Sequence, residues 1–190
     1  MFSTLLIRLF DLIISTFFLF FFSPIFLIIV ILIYIFDGFP ILYISDRVGL
    51  NGSVFKIYKF RTMKTKTTIN EMDVISKLGK YLRRSSIDEI PQFFNILKND
   101  MSVVGPRPLP TEIERQISND IKKIRRQVKP GITGYAQIKF NNKRRDWKEK
   151  SELDIEYVKN ISVYNYILVI LLTFPTLLKR FSFNKKGRTL

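Results

Sequence analysis

Asp88 and Glu89 are adjacent carboxylates in the segment Leu82-Arg83-Arg84-Ser85-Ser86-Ile87-Asp88-Glu89-Ile90-Pro91-Gln92, directly after a pair of arginines. The segment reads as a helix start: Ser86 and Glu89 have the spacing of a capping box, Asp88 is an alternative cap, and Pro91 is tolerated early in a helix. That structural reading is sufficient by itself. A chemical reading uses the same geometry, because a helix N-terminus gathers free amide donors and positive potential where phosphate binds, and a carboxylate there can be a nucleophile. Neighbouring helical carboxylates diverge by about 100°. One of the pair could therefore attack a phosphorus atom while the other helps to hold a cation that neutralises a pyrophosphate.

The rest of the composition narrows the chemistry. The 190 residues include no His and no Cys, which excludes imidazole acid/base catalysis, thiolate nucleophiles, disulfides and the usual zinc sites. Carboxylates, cationic side chains and a hard cation such as magnesium remain. Lys and Arg number 31 against 16 acidic residues, a net charge of +15, so the natural partners are phosphates, nucleic acids or anionic lipid headgroups. Arg107 stands between Pro106 and Pro108, a frame that could hold a phosphate-binding fork or simply make a rigid turn. Lys56, Lys59 and Arg61 lie on a predicted strand, with Lys59 and Arg61 on one face; a solvated strand edge explains them equally well. The Gly-rich run Lys129 to Gln137 either approaches a ligand closely or turns the chain, and it matches no nucleotide-binding fingerprint.

These residues need elements to position them. No residue from Leu12 to Phe36 is charged, and a straight helix of that length, about 37 Å at about 1.5 Å per residue, would cross a hydrocarbon core of about 30 Å. Ser23-Pro24 near the middle breaks the simple span: proline bends a helix, and Ser23 can satisfy a freed carbonyl. A re-entrant hairpin is the competing geometry, leaving Arg8 and Asp11 on the side of the basic domain, either as an ordinary helix-end ion pair or as groups that fix the depth of the membrane element. Ile41 to Ile44 and Val54 to Phe60 read as strands joined around Gly49 to Gly52. Met63 to Met72 reads as a loop and Val74 to Arg84 as a surface helix. Ile161 to Leu178, interrupted by Asn165 and Pro175 and followed by Lys179-Arg180 and Lys185-Lys186, reads as an interfacial helix. The positive-inside rule places the basic mass in the cytoplasm.

Taken in order, several segments resemble the bacterial sugar transferase family, the monotopic phosphoglycosyl transferases. They are Arg8 with Asp11 before Ser23-Pro24, Asp46-Arg47-Val48-Gly49, Tyr58 to Met63, Ser86 to Asn95, Asp100 to Pro108, and Pro130-Gly131-Ile132-Thr133-Gly134. The resemblance covers nearly the whole chain. It implies an α+β, mostly helical fold, with a re-entrant membrane helix over residues 1–36 and a small cytoplasmic catalytic domain over 37–190 that includes the interfacial helix 161–178. It implies a small member without an added multi-span domain, monotopic at the cytoplasmic face of the bacterial inner membrane.

The resemblance also implies the reaction. Asp88 and Glu89 look like the catalytic dyad and magnesium site; Asp88 would attack the sugar-bearing phosphorus of a UDP-sugar, UMP would leave, and polyprenyl phosphate would accept the phosphosugar. Lys59, Arg61, Arg83, Arg107 and Asp154 would serve substrate binding, with membrane lipid as a partner and no nucleic acid. Two departures stand out. Lys139, Phe140 and Asn141 replace the family's Asn-Gly-Arg stretch after Gln137, so Lys143, Arg144 or Arg145 could supply the missing cation; and Tyr166 replaces an acidic residue after Ser162, while Asp154 and Tyr157 fit. The competing class is a membrane-anchored basic module that binds nucleic acid or anionic lipid without catalysis, which leaves Asp88-Glu89 and Pro-Arg-Pro unexplained.

Overall fold

A computed structural model describes residues 2–64, 74–140 and 147–183. The N-terminal apolar stretch forms two helices, α1 (Phe2–Phe21) and α2 (Ser23–Asp37), and the break falls at Phe22. Its cause is local. Pro24 sits in the first turn of α2 and has no N–H for the carbonyl of Phe20, four residues back; Ser23 Oγ donates to that carbonyl instead, at 2.8 Å. Among the described residues, Ser3–Phe21 alone is long and apolar enough to cross a membrane by length and composition. The 15 residues of α2 reach only about 22 Å, short of a hydrocarbon core of about 30 Å.

Both ends of this helical pair are fastened to the rest of the chain. In α1, Ile7, Asp11 and Ser15 recur every fourth residue and are buried, whereas Leu9, Ile13, Phe17 and Phe20 are exposed; one stripe of an otherwise apolar helix faces the domain. Arg8 donates to the carbonyls of Ile96 and Leu97 at 2.8 and 3.2 Å. Asp11 Oδ1 accepts from Ser102 Oγ, Val103 N and Tyr166 Oη at 2.9, 2.8 and 2.8 Å. The two residues are therefore more than a helix-end ion pair, each reaching separately into the domain. At the far end of α2, Arg61 donates to the carbonyls of Asp37, Gly38 and Phe39, and Ser76 Oγ donates to Asp37 Oδ2 at 2.7 Å.

The predicted hairpin is present as antiparallel β1 (Leu42–Val48) and β2 (Val54–Phe60), in register from Leu42 opposite Phe60 to Val48 opposite Val54. β1 runs past Ile44 because cross-strand pairing continues up to the turn. The expected surface helix starts later than Val74: Val74 and Ile75 pair with Lys64 and Met63, and Ser76 caps α3 (Lys77–Ser85) by accepting from Gly79 N at 2.8 Å. Most of the predicted 63–72 loop lies outside the described residues.

The chain continues through α4 (Gln92–Leu97), β3 (Ser102–Val104), α5 (Thr111–Gln116), α6 (Asn119–Arg125), β4 (Gly131–Thr133), α7 (Tyr135–Phe140), α8 (Trp147–Lys159) and α9 (Val163–Phe183). β3 and β4 form a short parallel pair. The Gly-rich run makes its close approach to the chain itself: a Cβ on Gly131 would lie 2.0 Å from Gly105 N, and one on Gly134 would lie 2.4 Å from Gly105 O. This contact holds the start of Pro106-Arg107-Pro108 against the start of α7. Ile57, Ile96, Met101, Val104, Tyr157, Tyr166 and Val169 form the core beneath it, and Ile29 and Ile33 of α2 pack with Phe60 and Leu82 in a second cluster. Pro175 lies inside α9 without ending it. Tyr166 takes the position of the expected acid and donates to Asp11, where a second carboxylate would repel the first.

Candidate active site

Asp88 and Glu89 do not open a long helix. They lie in a three-residue 3-10 turn, Ile87–Glu89, between α3 and α4. Ser86 closes α3 in the left-handed region at φ 57° and gives the turn no side-chain cap, so the capping box is not made. The Glu89 carboxylate is drawn away from it: Oε1 accepts from Lys59 Nζ at 2.7 Å and from Arg107 Nη2 at 3.1 Å. Positive potential at the pair thus comes from side chains, Lys59 on β2, Arg107 on the turn after β3 and Arg83 on α3, not from the helix start that the sequence suggested.

The two acids are driven apart electrostatically. Asp88 is only 8% exposed, and burial, reinforced by the Glu89 charge, pushes its carboxyl up to about 6 against the opposing pull of Lys59, Arg83 and Arg107. Burial also pushes Glu89 up, but Arg107 and Lys59 outweigh it and hold that carboxyl well below the ordinary range. The arrangement pairs a permanently ionised acid, braced by two cations, with a poorly solvated acid that still ionises at neutral pH. Such a carboxylate is available for bond formation, while its neighbour orients cations toward an anionic substrate.

Four of the predicted cationic and acidic residues fall into different settings. Arg107 bridges Glu89 and a cleft of about 250 Å³ lined also by Arg125, Gln137, Phe140, Lys150 and Asp154. Arg83 donates from Nε to Thr62 Oγ1 at 2.8 Å and lowers the Asp88 carboxyl electrostatically. Arg61 is buried, and its guanidinium binds the carbonyls that follow α2; it anchors the end of α2 there, at the junction with β1. Asp154 is buried in an ion pair with Arg125 at 3.1 Å, and Arg125 also meets Glu114 at 3.5 Å. Lys143, Arg144 and Arg145 lie outside the described residues.

Sequence reasoning passed over Arg125, Gln137 and Lys150 as wall residues of this cleft. Arg125 sits in a basic stretch that resembles any solvated helix face, and nothing in its spacing separates it from Lys122 or Lys123. Gln137 closes the Gly-rich run, and its neutral side chain gives no charge signal.

The sequence matches proteins of one family over most of its length. The family described as bacterial sugar transferase matches residues 2–180. Galactosyl transferase CpsE of Streptococcus agalactiae serotype III is 40% identical over 160 residues, covering 75% of this chain and 35% of that protein. The uncharacterized sugar transferase EpsL of Bacillus subtilis is 40% identical over 176 residues, covering 87% of this chain and 84% of that one. The UDP-glucose:undecaprenyl-phosphate glucose-1-phosphate transferase of Escherichia coli K12 is 37% identical over 185 residues, covering 90% of this chain and 40% of that protein. The chain thus spans little more than a third of CpsE and two fifths of the E. coli enzyme, and most of EpsL. With the match running from α1 to α9 and enclosing the Asp88-Glu89 turn, the chain belongs to the bacterial sugar transferase family.

Proposed function

We propose that this chain transfers a sugar 1-phosphate from a UDP-sugar to undecaprenyl phosphate, releasing UMP, through a covalent phosphosugar on Asp88. The observation that carries the reading is the buried Asp88 beside a Glu89 held by Lys59 and Arg107; relatives named as UDP-glucose:undecaprenyl-phosphate glucose-1-phosphate transferase in E. coli and Klebsiella pneumoniae supply the substrate class. In the first step an Asp88 carboxylate oxygen attacks the sugar-bearing phosphorus. The bond from that phosphorus to the bridging oxygen breaks, and UMP leaves with the electron pair. In the second, a phosphate oxygen of the polyprenol attacks the same phosphorus, and the Asp88 carboxylate departs unchanged.

Lys59 and Arg107 offset the charge of the incoming diphosphate while Glu89 keeps them in place. Magnesium suits the donor set, because it binds through one or two carboxylates with phosphate oxygens and waters completing its shell. Asp88 and the Glu89 oxygen opposite the one bound by Lys59 would hold it, and its charge would neutralise the pyrophosphate.

The same reading places α1 and α2 as a re-entrant pair in the cytoplasmic leaflet, since Arg8 and Asp11 at one end and Asp37 at the other are fastened to the same basic domain. Exposed Leu171, Phe174 and Leu178 on α9 would meet the same surface. A cysteine at residue 2 labelled only from outside the cytoplasm would refute re-entry without touching the chemistry. The reaction itself is tested by supplying purified protein with magnesium, undecaprenyl phosphate and a panel of UDP-sugars. UMP release with at least one of them is expected; salt-sensitive nucleic-acid binding with no turnover would instead establish the non-catalytic module.

A further inference from the structure

The cleft beside Arg107 contains a group the mechanism above leaves unused. Gln137 is 8% exposed, lines the cleft, and has neither its amide oxygen nor its amide nitrogen hydrogen-bonded among the described residues. A buried amide with both functions unmet loses its hydration without replacement. Oε1 lies 3.0 Å from where a Cβ on Gly134 would stand, so glycine at that position leaves room for it. Leu109, Ala136 and Phe140 supply the apolar wall of the cleft, beside the charged Arg125, Lys150 and Asp154, and Arg107 connects the cleft to Glu89.

We propose that Gln137 is a specificity-determining residue that reads the nucleobase of the donor, pairing its amide with the imide edge of uracil. The inference rests on the reading that the donor diphosphate lies at Arg107. Uracil then extends into the cleft with its flat face on the apolar wall; Gln137 Oε1 accepts from N3–H and Nε2 donates to a flanking carbonyl.

The test measures binding of UMP and of N3-methyl-UMP to the full chain in lipid nanodiscs, for the wild type and Gln137→Met, alongside wild-type turnover of a UDP-sugar panel. N3-methylation is expected to weaken wild-type binding about tenfold or more, as loss of the paired edge should. Gln137→Met is expected to bind UMP about as weakly as the wild type binds the methylated nucleotide, and to show little further loss on methylation. Equal sensitivity of variant and wild type to N3-methylation would overturn the proposal. So would a wild type indifferent to methylation, a result that stands even if the variant fails to fold. Wild-type turnover together with either result sinks this inference alone; absence of turnover with every UDP-sugar sinks the proposed function and this inference with it.

Discussion

Asp88→Asn removes one carboxylate from a buried pair while keeping its shape, and its effects on stability and on turnover should run in opposite directions. The Asp88 carboxyl is held at about 6 against an ordinary 3.8, and each pKa step is worth about 1.4 kcal/mol. Keeping Asp88 ionised at pH 7.5 therefore costs the fold at most about 3 kcal/mol. Folded Asp88 retains its proton to higher pH than the unfolded chain, so its contribution to stability is fully present below pH 3.8 and lost as pH rises through about 6. The gap between the Asp88→Asn variant and the wild type is accordingly widest at pH 7.5, about half as large at pH 5, and small near pH 4. For a chain of this size the full gap corresponds to a rise in Tm of up to about 10 °C. Thermal unfolding in nanodiscs at the three pH values, with UMP release measured in parallel, checks both halves. A variant that melts at or below the wild-type temperature at pH 7.5, or a gain that does not shrink toward pH 4, would refute the electrostatic account of the pair.

Other outcomes follow from the same contacts. UMP release should fall about tenfold per pH unit below about 6 as Asp88 takes up its proton; residual activity of Glu89→Gln should show the limb at lower pH, because one of the charges that raises Asp88 is gone, and an unmoved limb would point to Asp154, whose carboxyl burial also pushes to about 6. Asp11→Ala strands three donors, on Ser102, Val103 and Tyr166, and should destabilise the fold by about 3 kcal/mol in denaturant titration, whereas Tyr166→Phe removes a single donor and should cost about 1 kcal/mol. Asp154→Ala leaves Arg125 buried with the longer Glu114 contact and its hydrogen bond to the Arg107 carbonyl, a loss at the lower end of the about 3–5 kcal/mol range for broken buried pairs; an unchanged unfolding midpoint would show that the pair is not structural.

Much of this site was legible in the sequence because its determinants are local. Ser23-Pro24 breaks the apolar helix through one missing N–H, and the Asp88-Glu89 pair announces itself once His and Cys are absent. Lys59 and Arg107 were readable as cations, and the fold brings both to Glu89. The 3-10 turn was not legible, since Ser86 and Glu89 have perfect capping-box spacing, and Lys59, thirty positions earlier in the chain, together with Arg107 decides where the Glu89 carboxylate goes. The setting of Arg61 was not legible for a related reason: its expected place on a strand face with Lys59 says nothing of the carbonyls at the end of α2 that it binds. Tyr166, a departure in the sequence, becomes intelligible only when Asp11, 155 residues away, is seen beside it.

In the proposed reaction Asp88 carries the phosphosugar between donor and acceptor. Incubating the protein with a UDP-sugar labelled on the sugar-bearing phosphorus, without polyprenyl phosphate, and mapping the label after acid quench tests it most directly. Stoichiometric UMP release is expected, with the label on the peptide containing Asp88 and discharged when undecaprenyl phosphate is added. UMP that appears only once the acceptor is present, with no labelled peptide beforehand, would contradict it.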